Sequence, residues 1–219
     1  MAAPEAGPLR MMATLGIAGM CSGLALVGIF LVTQPRIERN RAEALEAAIF
    51  QVLRGASARV ALVLREGALA RFESPSGNLP KEEAVYAGYD ASGRLVGYAI
   101  PAEGSGFQDT IKLIYGYDPD RRRVVGMQVL ESRETPGLGD KIMKDESFLA
   151  SFQDLAISPE VVAARKGRTR DNEVDAISGA TISSVAIVKI INQANSRWID
   201  RLPERDAFPG AAASDEGGG

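Results

Sequence analysis

Ala84-Val85-Tyr86-Ala87-Gly88-Tyr89 and Leu95-Val96-Gly97-Tyr98-Ala99-Ile100 flank Asp90-Ala91-Ser92-Gly93-Arg94, and the reading of this stretch decides the fold. Both flanks are rich in aromatic and β-branched residues, and the five residues between them have turn chemistry. A second pair follows: Thr110 to Tyr117 and Val124 to Leu130 enclose Asp118-Pro119-Asp120. Links this short suit antiparallel neighbours, because a parallel crossover needs about a dozen residues or more. An antiparallel meander is therefore expected at the centre of an α+β domain.

Upstream, Arg59 to Phe72 alternates apolar and polar residues around Glu66-Gly67, as a short hairpin or a strand would. Glu73 to Lys81 reads as a loop, punctuated by Pro75, Gly77 and Pro80. Gly104-Ser105-Gly106-Phe107 invites a nucleotide-loop reading. It fails that pattern, since Asp109 stands where the third glycine belongs and a strand follows where a helix is needed. A tight turn is expected there. Asp140 to Phe152 suggests short helical turns, and Ser158-Pro159-Glu160 a helix start. The basic trio Arg121-Arg122-Arg123 reads as a solvated hairpin end or a docking contact.

Near the C-terminus, Asp175-Ala176-Ile177-Ser178-Gly179-Ala180-Thr181-Ile182-Ser183-Ser184 runs into a helix-like segment ending at Trp198. Ile187, Ile190, Ile191, Ala194 and Trp198 fall at helical spacing, so one face can enter a core. The start of such a helix admits two readings. Its first N–H groups have no intrahelical partner and its dipole favours negative charge, so a phosphate suits it. Ser and Thr there are also ordinary N-caps.

Composition excludes a good deal. The 219 residues allow one medium domain with extras, and the net charge of −3 offers no basic field for nucleic acid. There is no His and one Cys. That rules out His-based nucleophile triads, His-ligated haem, His-bearing zinc sites, cysteine-held clusters and an intramolecular disulfide. No catalytic set and no metal set is identified. Any electrons this chain carries must sit on a bound organic cofactor.

Residues 1–10 form a short leader. Met11 to Pro35 carries no charge and exceeds the roughly 20 apolar residues that cross a bilayer. A cleaved signal peptide and a lipoprotein anchor at Cys21 are the rival readings. Neither has its expected cleavage-site residues, so an uncleaved transmembrane helix over 11–35 is expected, with Cys21 an inert buried thiol. Residues 36–55 read as a linker helix with Leu45, Ala48, Ile49 and Val52 on one face. The soluble domain spans 56–202, and residues 203–219, rich in Pro, Gly, Ala and acids, form a tail expected to be disordered. Arg36, Arg39 and Arg41 outnumber Arg10 across the span, a bias that favours a cytoplasmic domain.

Two of these segments carry a resemblance. Asp175-x-x-Ser178-Gly179-Ala180-Thr181 resembles the flavinylation motif of the FMN-binding domain family, in which FMN is attached through its phosphate to the final Thr. Glu134-Thr135-Pro136-Gly137-Leu138-Gly139-Asp140-Lys141-Ile142 resembles the same family's other signature. With a single-span anchor in front, the order is similar to that of G subunits of Rnf (Rsx) ion-translocating electron transport complexes, from about Leu15 to Leu202. The C subunit of the sodium-pumping NADH:quinone reductase is a close cousin. A cofactor-free anchored module is the alternative from another class.

The resemblance implies FMN esterified to Thr181, with Ser178, Gly179 and Ala180 shaping the acceptor. It implies Glu134 and Thr135 at the edge of the flavin ring, Leu138 on its face and Phe107 nearby. It implies a Mg-dependent flavin transferase for maturation, other Rnf subunits and the lipid bilayer as partners, and electron relay between ferredoxin and NAD pathways coupled to ion translocation. It also puts the domain on the periplasmic face of a bacterial inner membrane, against the local arginine bias.

Overall fold

Val60 and Leu62 enter one apolar layer, while Ala61 and Val63, between and beside them, enter another. Val85 and Ala87 alternate with Ala84 and Tyr86 in the same way. This period of two is what a strand buried on both faces requires. The computed structural model describes residues 7–65, 67–72, 80, 82–165 and 167–203. Glu66, the predicted loop over 73–81 apart from Pro80 and residues 1–6 of the leader lie outside the described residues. So does the tail from residue 204 onward.

The strands are β1 (Ala58–Arg65), β2 (Ala68–Arg71), β3 (Ala84–Tyr89), β4 (Leu95–Ser105), β5 (Thr110–Asp118), β6 (Arg123–Glu131) and β7 (Leu155–Ala156). They form one sheet in the order β2-β1-β3-β4-β5-β6-β7, every neighbour antiparallel. The meander from β3 to β6 follows the chain without a crossover. Helix α3 (Thr181–Trp198) covers one face, burying Ile187, Ile190, Ile191, Ala194 and Trp198 as their spacing requires. Each such aliphatic side chain contributes roughly 1.5–3 kcal/mol. Between sheet and α3 lie a 3-10 turn (Gly139–Met143) and the short α2 (Glu146–Ala150), capped by Asp145.

Helix α1 runs Pro8–Val52, so the stretches read as anchor and linker fall in a single helix with Pro35 inside it. The chain divides into Met1–Glu43 and Ala44–Gly219. In the first unit Leu15, Leu24, Phe30 and Val32 are exposed, and the helix is long and apolar enough to cross a membrane. Cys21, expected to be buried, is exposed on it. In the second unit Ala48, Ile49, Val52 and Leu53 pack on the sheet face opposite α3. Gly116 lets them approach, because a Cβ there would stand 2.5 Å from the Val52 carbonyl oxygen.

Three expectations need correction. The tight turn expected over Gly104-Ser105-Gly106-Phe107 starts two residues later: Gly104 pairs with Ile111 and Ser105 with Thr110, and the reversal occurs at Gly106, whose N–H donates to Asp109 O at 2.9 Å. Ser158-Pro159-Glu160 starts no helix. Asn192 of α3 accepts from Val161 N (3.1 Å) and donates to Val161 O (2.8 Å), which claims that backbone for an extended path. The path continues into β8 (Val162–Ala164), which pairs in parallel with β9 (Glu173–Asp175), a small second sheet. The arginine trio is not simply solvated either: Arg121 and Arg123 pair with Asp154, and Arg123 also with Asp171.

Glu173 holds the β8–β9 lobe together. Its carboxylate accepts from Thr169 N (2.8 Å) and Oγ1 (2.9 Å), Arg170 N (3.1 Å) and Arg170 Nε (2.7 Å). The Thr169 N–H, with the Arg170 guanidinium next, draws its pKa down from 4.5 to about 2. A lowered folded-state pKa means stability that is whole above pH 4.5 and drains away as the pH falls through about 2. Glu173→Gln should flatten that limb. Thermal unfolding of the detergent-solubilised chain, followed between these pH values, should show a smaller acid loss in the variant than in the wild type.

Candidate functional site

The chain reaches α3 through Ser178, Gly179 and Ala180. Gly179 has φ +83°, a backbone that disfavours a side chain, and Ser178 is exposed beside it. Ala180 is the N-cap and supplies no side-chain acceptor. Neither Ser178 nor Thr181 caps the helix, so the plain capping reading of the motif fails. The first-turn N–H groups remain without intrahelical partners. Thr181 is the first residue of α3 and exposed, its hydroxyl donating only a long 3.4 Å bond to Ile177 O. Ser184, fully buried, fastens the approach: its Oγ accepts from Ile177 N (3.1 Å) and donates to Ala180 O (2.9 Å).

Ser183, the other buried hydroxyl, leads to the second motif. It donates to Glu134 Oε2 at 2.9 Å. The other oxygen, Oε1, accepts from Phe107 N (2.8 Å) and Gln108 N (3.1 Å). One buried carboxylate thus ties the β4–β5 turn, the end of β6 and the first turn of α3 together. Two glycines clear its place. A Cβ on Gly106 would lie 2.3 Å from Oε1, and one on Gly139 would lie 2.7 Å from both Cβ and Oε2 of Glu134. Glu134 meets protein donors on both oxygens, so it builds the site from behind.

Thr135 sits at the same join, its hydroxyl donating to Gln108 Oε1 at 3.0 Å while its carbonyl accepts from Leu138 N at 3.1 Å. Asp140 fixes the turn by accepting from Gly137 N at 2.7 Å, and the Lys144 ammonium, also at 2.7 Å, holds its carboxyl below the usual carboxylate range. Leu138 is left 52% exposed and its Cδ2 lies 3.9 Å from where a Gly179 Cβ would stand. Phe107 is 63% and Ile182 60% exposed. Three large apolar side chains, from three segments that Glu134 and Ser183 bind together, therefore stay in the open around an uncapped helix start. The signatures did not single out Ile182 or Lys141. Ile182 follows the motif's last residue, and Lys141 sits inside the second signature.

This arrangement fits a flat apolar ring joined to a phosphate: apolar side chains for the one, unpartnered N–H groups and a hydroxyl for the other. It is a shelf on the surface. The cleft of about 580 Å³ lined by Glu83, Lys112, Gln193, Arg197 and Trp198 lies toward the other end of α3.

Over 190 residues the chain is 30% identical to the G subunit of the ion-translocating oxidoreductase complex of Methanosarcina acetivorans, covering 84% of this chain and 91% of that protein. The chain belongs to the G-subunit family of ion-translocating oxidoreductase complexes. A second relative is the G subunit of the proton-translocating ferredoxin:NAD(+) oxidoreductase complex of Clostridium ljungdahlii. It is 34% identical over 101 residues, 46% of this chain and 52% of that protein. With that relative, the match spans about half of either length. Residues 106–196 match the FMN-binding domain family, a span that holds Phe107, both signatures and most of α3.

Solved structures show the same fold at low identity. NqrC of Shewanella oneidensis superposes with a TM-score of 0.54 at 18% identity, covering 74% of this chain and 94% of that one. The C subunit of the Na(+)-translocating NADH-quinone reductase of Parabacteroides distasonis gives 0.56 at 20%, covering 77% and 96%. These C subunits share the architecture of the G-subunit domain.

In this member of the G-subunit family the Glu134 join is open to measurement. Glu134→Ala should destabilise the domain by roughly 2–4 kcal/mol, since it strands the Phe107 and Gln108 N–H groups and the Ser183 hydroxyl. Glu134→Gln should cost about half as much, because one oxygen still accepts. Urea unfolding compared across the three proteins reads the difference.

Proposed function

We propose that this chain is the membrane-anchored flavoprotein subunit of an Rnf-type complex, with FMN attached through a phosphoester to Thr181. The observation that carries the reading is the uncapped start of α3, where an exposed Thr181 hydroxyl stands beside free N–H groups. Of the four hydroxyls between Ser178 and Ser184, Ser183 and Ser184 are buried and committed to Glu134 and to the Ile177–Ala180 loop. Ser178 is exposed but precedes the helix. Thr181 alone combines exposure with the positive end of the helix dipole.

Attachment needs help from outside the chain. No His exists, and the hydrogen-bond partner of Thr181 is a carbonyl, which is no general base. A separate Mg-dependent flavin transferase with FAD supplies what is missing. Thr181 Oγ forms a bond to the phosphorus on the flavin side of the pyrophosphate, that pyrophosphate linkage breaks, adenylate leaves, and the hydroxyl proton passes to a base of the transferase. No oxidation is involved. Ser178, Gly179 and Ala180 shape the acceptor and the α3 N–H groups receive the phosphate.

When bound, FMN supplies reversible electron transfer in one- or two-electron steps. The chain's own residues position it. Leu138, Phe107 and Ile182 would contact the ring, and Glu134 and Thr135 hold the loops that present them. An open shelf retains a ring poorly, so a covalent tie takes the place of burial. The name of the Clostridium ljungdahlii relative supports a relay between ferredoxin and NAD coupled to ion movement. Ferredoxin and nicotinamide bind other subunits in this reading. Likeness to the quinone-reductase C subunits is likeness of fold, and the sequence relatives favour the Rnf type.

Two measurements test this. Full-length protein co-produced with a flavin transferase should run as a fluorescent band on a denaturing gel, and Thr181→Val should abolish that fluorescence while leaving the melting temperature within a few degrees. A fluorescent Thr181→Val band would move the attachment elsewhere. The domain is placed on the periplasmic side, against the bias of Arg36, Arg39 and Arg41. Alkaline phosphatase fused after Leu202 should therefore be active in intact cells; an inactive fusion, with cytoplasmic reporters active, reverses the orientation.

A further inference from the structure

We propose that Lys141 is the counter-charge that holds the phosphate on Thr181, an inference that rests on the flavin-threonine reading above. A phosphodiester keeps one negative charge at neutral pH, and the N–H groups of α3 offer it only partial charges. The Lys141 ammonium lies 3.8 Å from the position a Cβ on Gly179 would take, in contact with the loop two residues before the acceptor. Gly179 has no side chain to stand between them.

The backbone of Lys141 is fixed. Its N–H donates to Leu138 O at 3.3 Å, and its carbonyl accepts from Lys144 N (3.0 Å) and Asp145 N (2.8 Å). Its charge is uncommitted by comparison with its neighbour. Lys144 is held by Asp140 at 2.7 Å, whereas Lys141 makes no ion pair among the described residues. Asp145 feels its charge at longer range, but that carboxylate already accepts from Ser147 Oγ and Phe148 N. The ammonium of a half-buried lysine, with open donors beside an uncapped helix start, has the chemistry of a phosphate ligand. Lys141 belongs to the second signature and Thr181 to the first. The contact gives the two a shared purpose apart from the Glu134–Ser183 bond.

The test uses the full-length chain in detergent with a flavin transferase, FAD and Mg²⁺. Intact mass gives the initial rate of adduct formation, and melting temperatures give the stability gained on modification. Lys141→Met should slow attachment by about tenfold, the order expected for losing one charge-assisted hydrogen bond. It should also lose most of the rise in melting temperature that modification gives the wild type. Lys141→Arg should restore both, and Lys189→Met, at an exposed position further along α3, should change neither. Should Lys141→Met melt early even unmodified, Lys141→Gln and the arginine rescue carry the comparison. Attachment at the wild-type rate with an undiminished rise overturns the assignment. A wild-type chain that never gains the adduct overturns the threonine reading itself.

Discussion

Burying a carboxylate is costly, and the cost is offset only where donors converge on both oxygens. Glu134 meets that condition with Phe107 N, Gln108 N and Ser183 Oγ, all between 2.8 and 3.1 Å. The donors come from the β4–β5 turn and from the first turn of α3, while the acceptor comes from the end of β6. Without this junction each segment would be a surface loop with freedom to drift. With it, the exposed Leu138, Phe107 and Ile182 are set at fixed places around Thr181. Gly106 and Gly139 belong to the same constraint, since a methyl group at either would collide with the carboxylate side chain.

Around that junction the hydroxyls divide the labour. Ser183 and Ser184 turn inward and hold the helix start, and Thr181 turns outward with a bond too long to detain it. The helix is rigid because its far side is core: Ile187 and Ile191 are wholly buried against the sheet. A stiff, buried helix thus ends in an accessible hydroxyl. Membership in the G-subunit family and the FMN-binding match over residues 106–196 agree with a site of this form.

Much of the sheet could be read from the chain because its information is local. Alternation marks β1, aromatic and β-branched content marks β3 and β4, turn residues mark the ends of the meander strands, and the 3.6-residue spacing marks α3. The errors fall where distant partners decide. Gly104-Ser105 has the composition of a turn, yet β5 lies alongside and continues the ladder. Val162–Ala164 and Glu173–Asp175 are too short to show a period, and Asn192 on α3 holds the first of them extended. Motif resemblance pointed to Thr181 and Glu134; the helix start alone left a phosphate and an ordinary cap both open at Thr181, and nothing local pointed to Glu134. Glu134's inward role was invisible because its donors lie 26 to 49 residues away. Lys141 went unnoticed for the same reason.

The meander also sets an order on the growing fold. Strands β3 to β6 pair with their immediate neighbours, contacts of low sequence separation of the kind that go with fast folding. In the proposed reading the modified threonine opens α3, which follows the whole meander in the chain, and the Ser183–Glu134 bond beside it joins residues 49 apart. On the proposed attachment, a chain in which that bond had not formed would offer a transferase an incomplete acceptor. In that reading, colour on the chain would also report that the domain had folded.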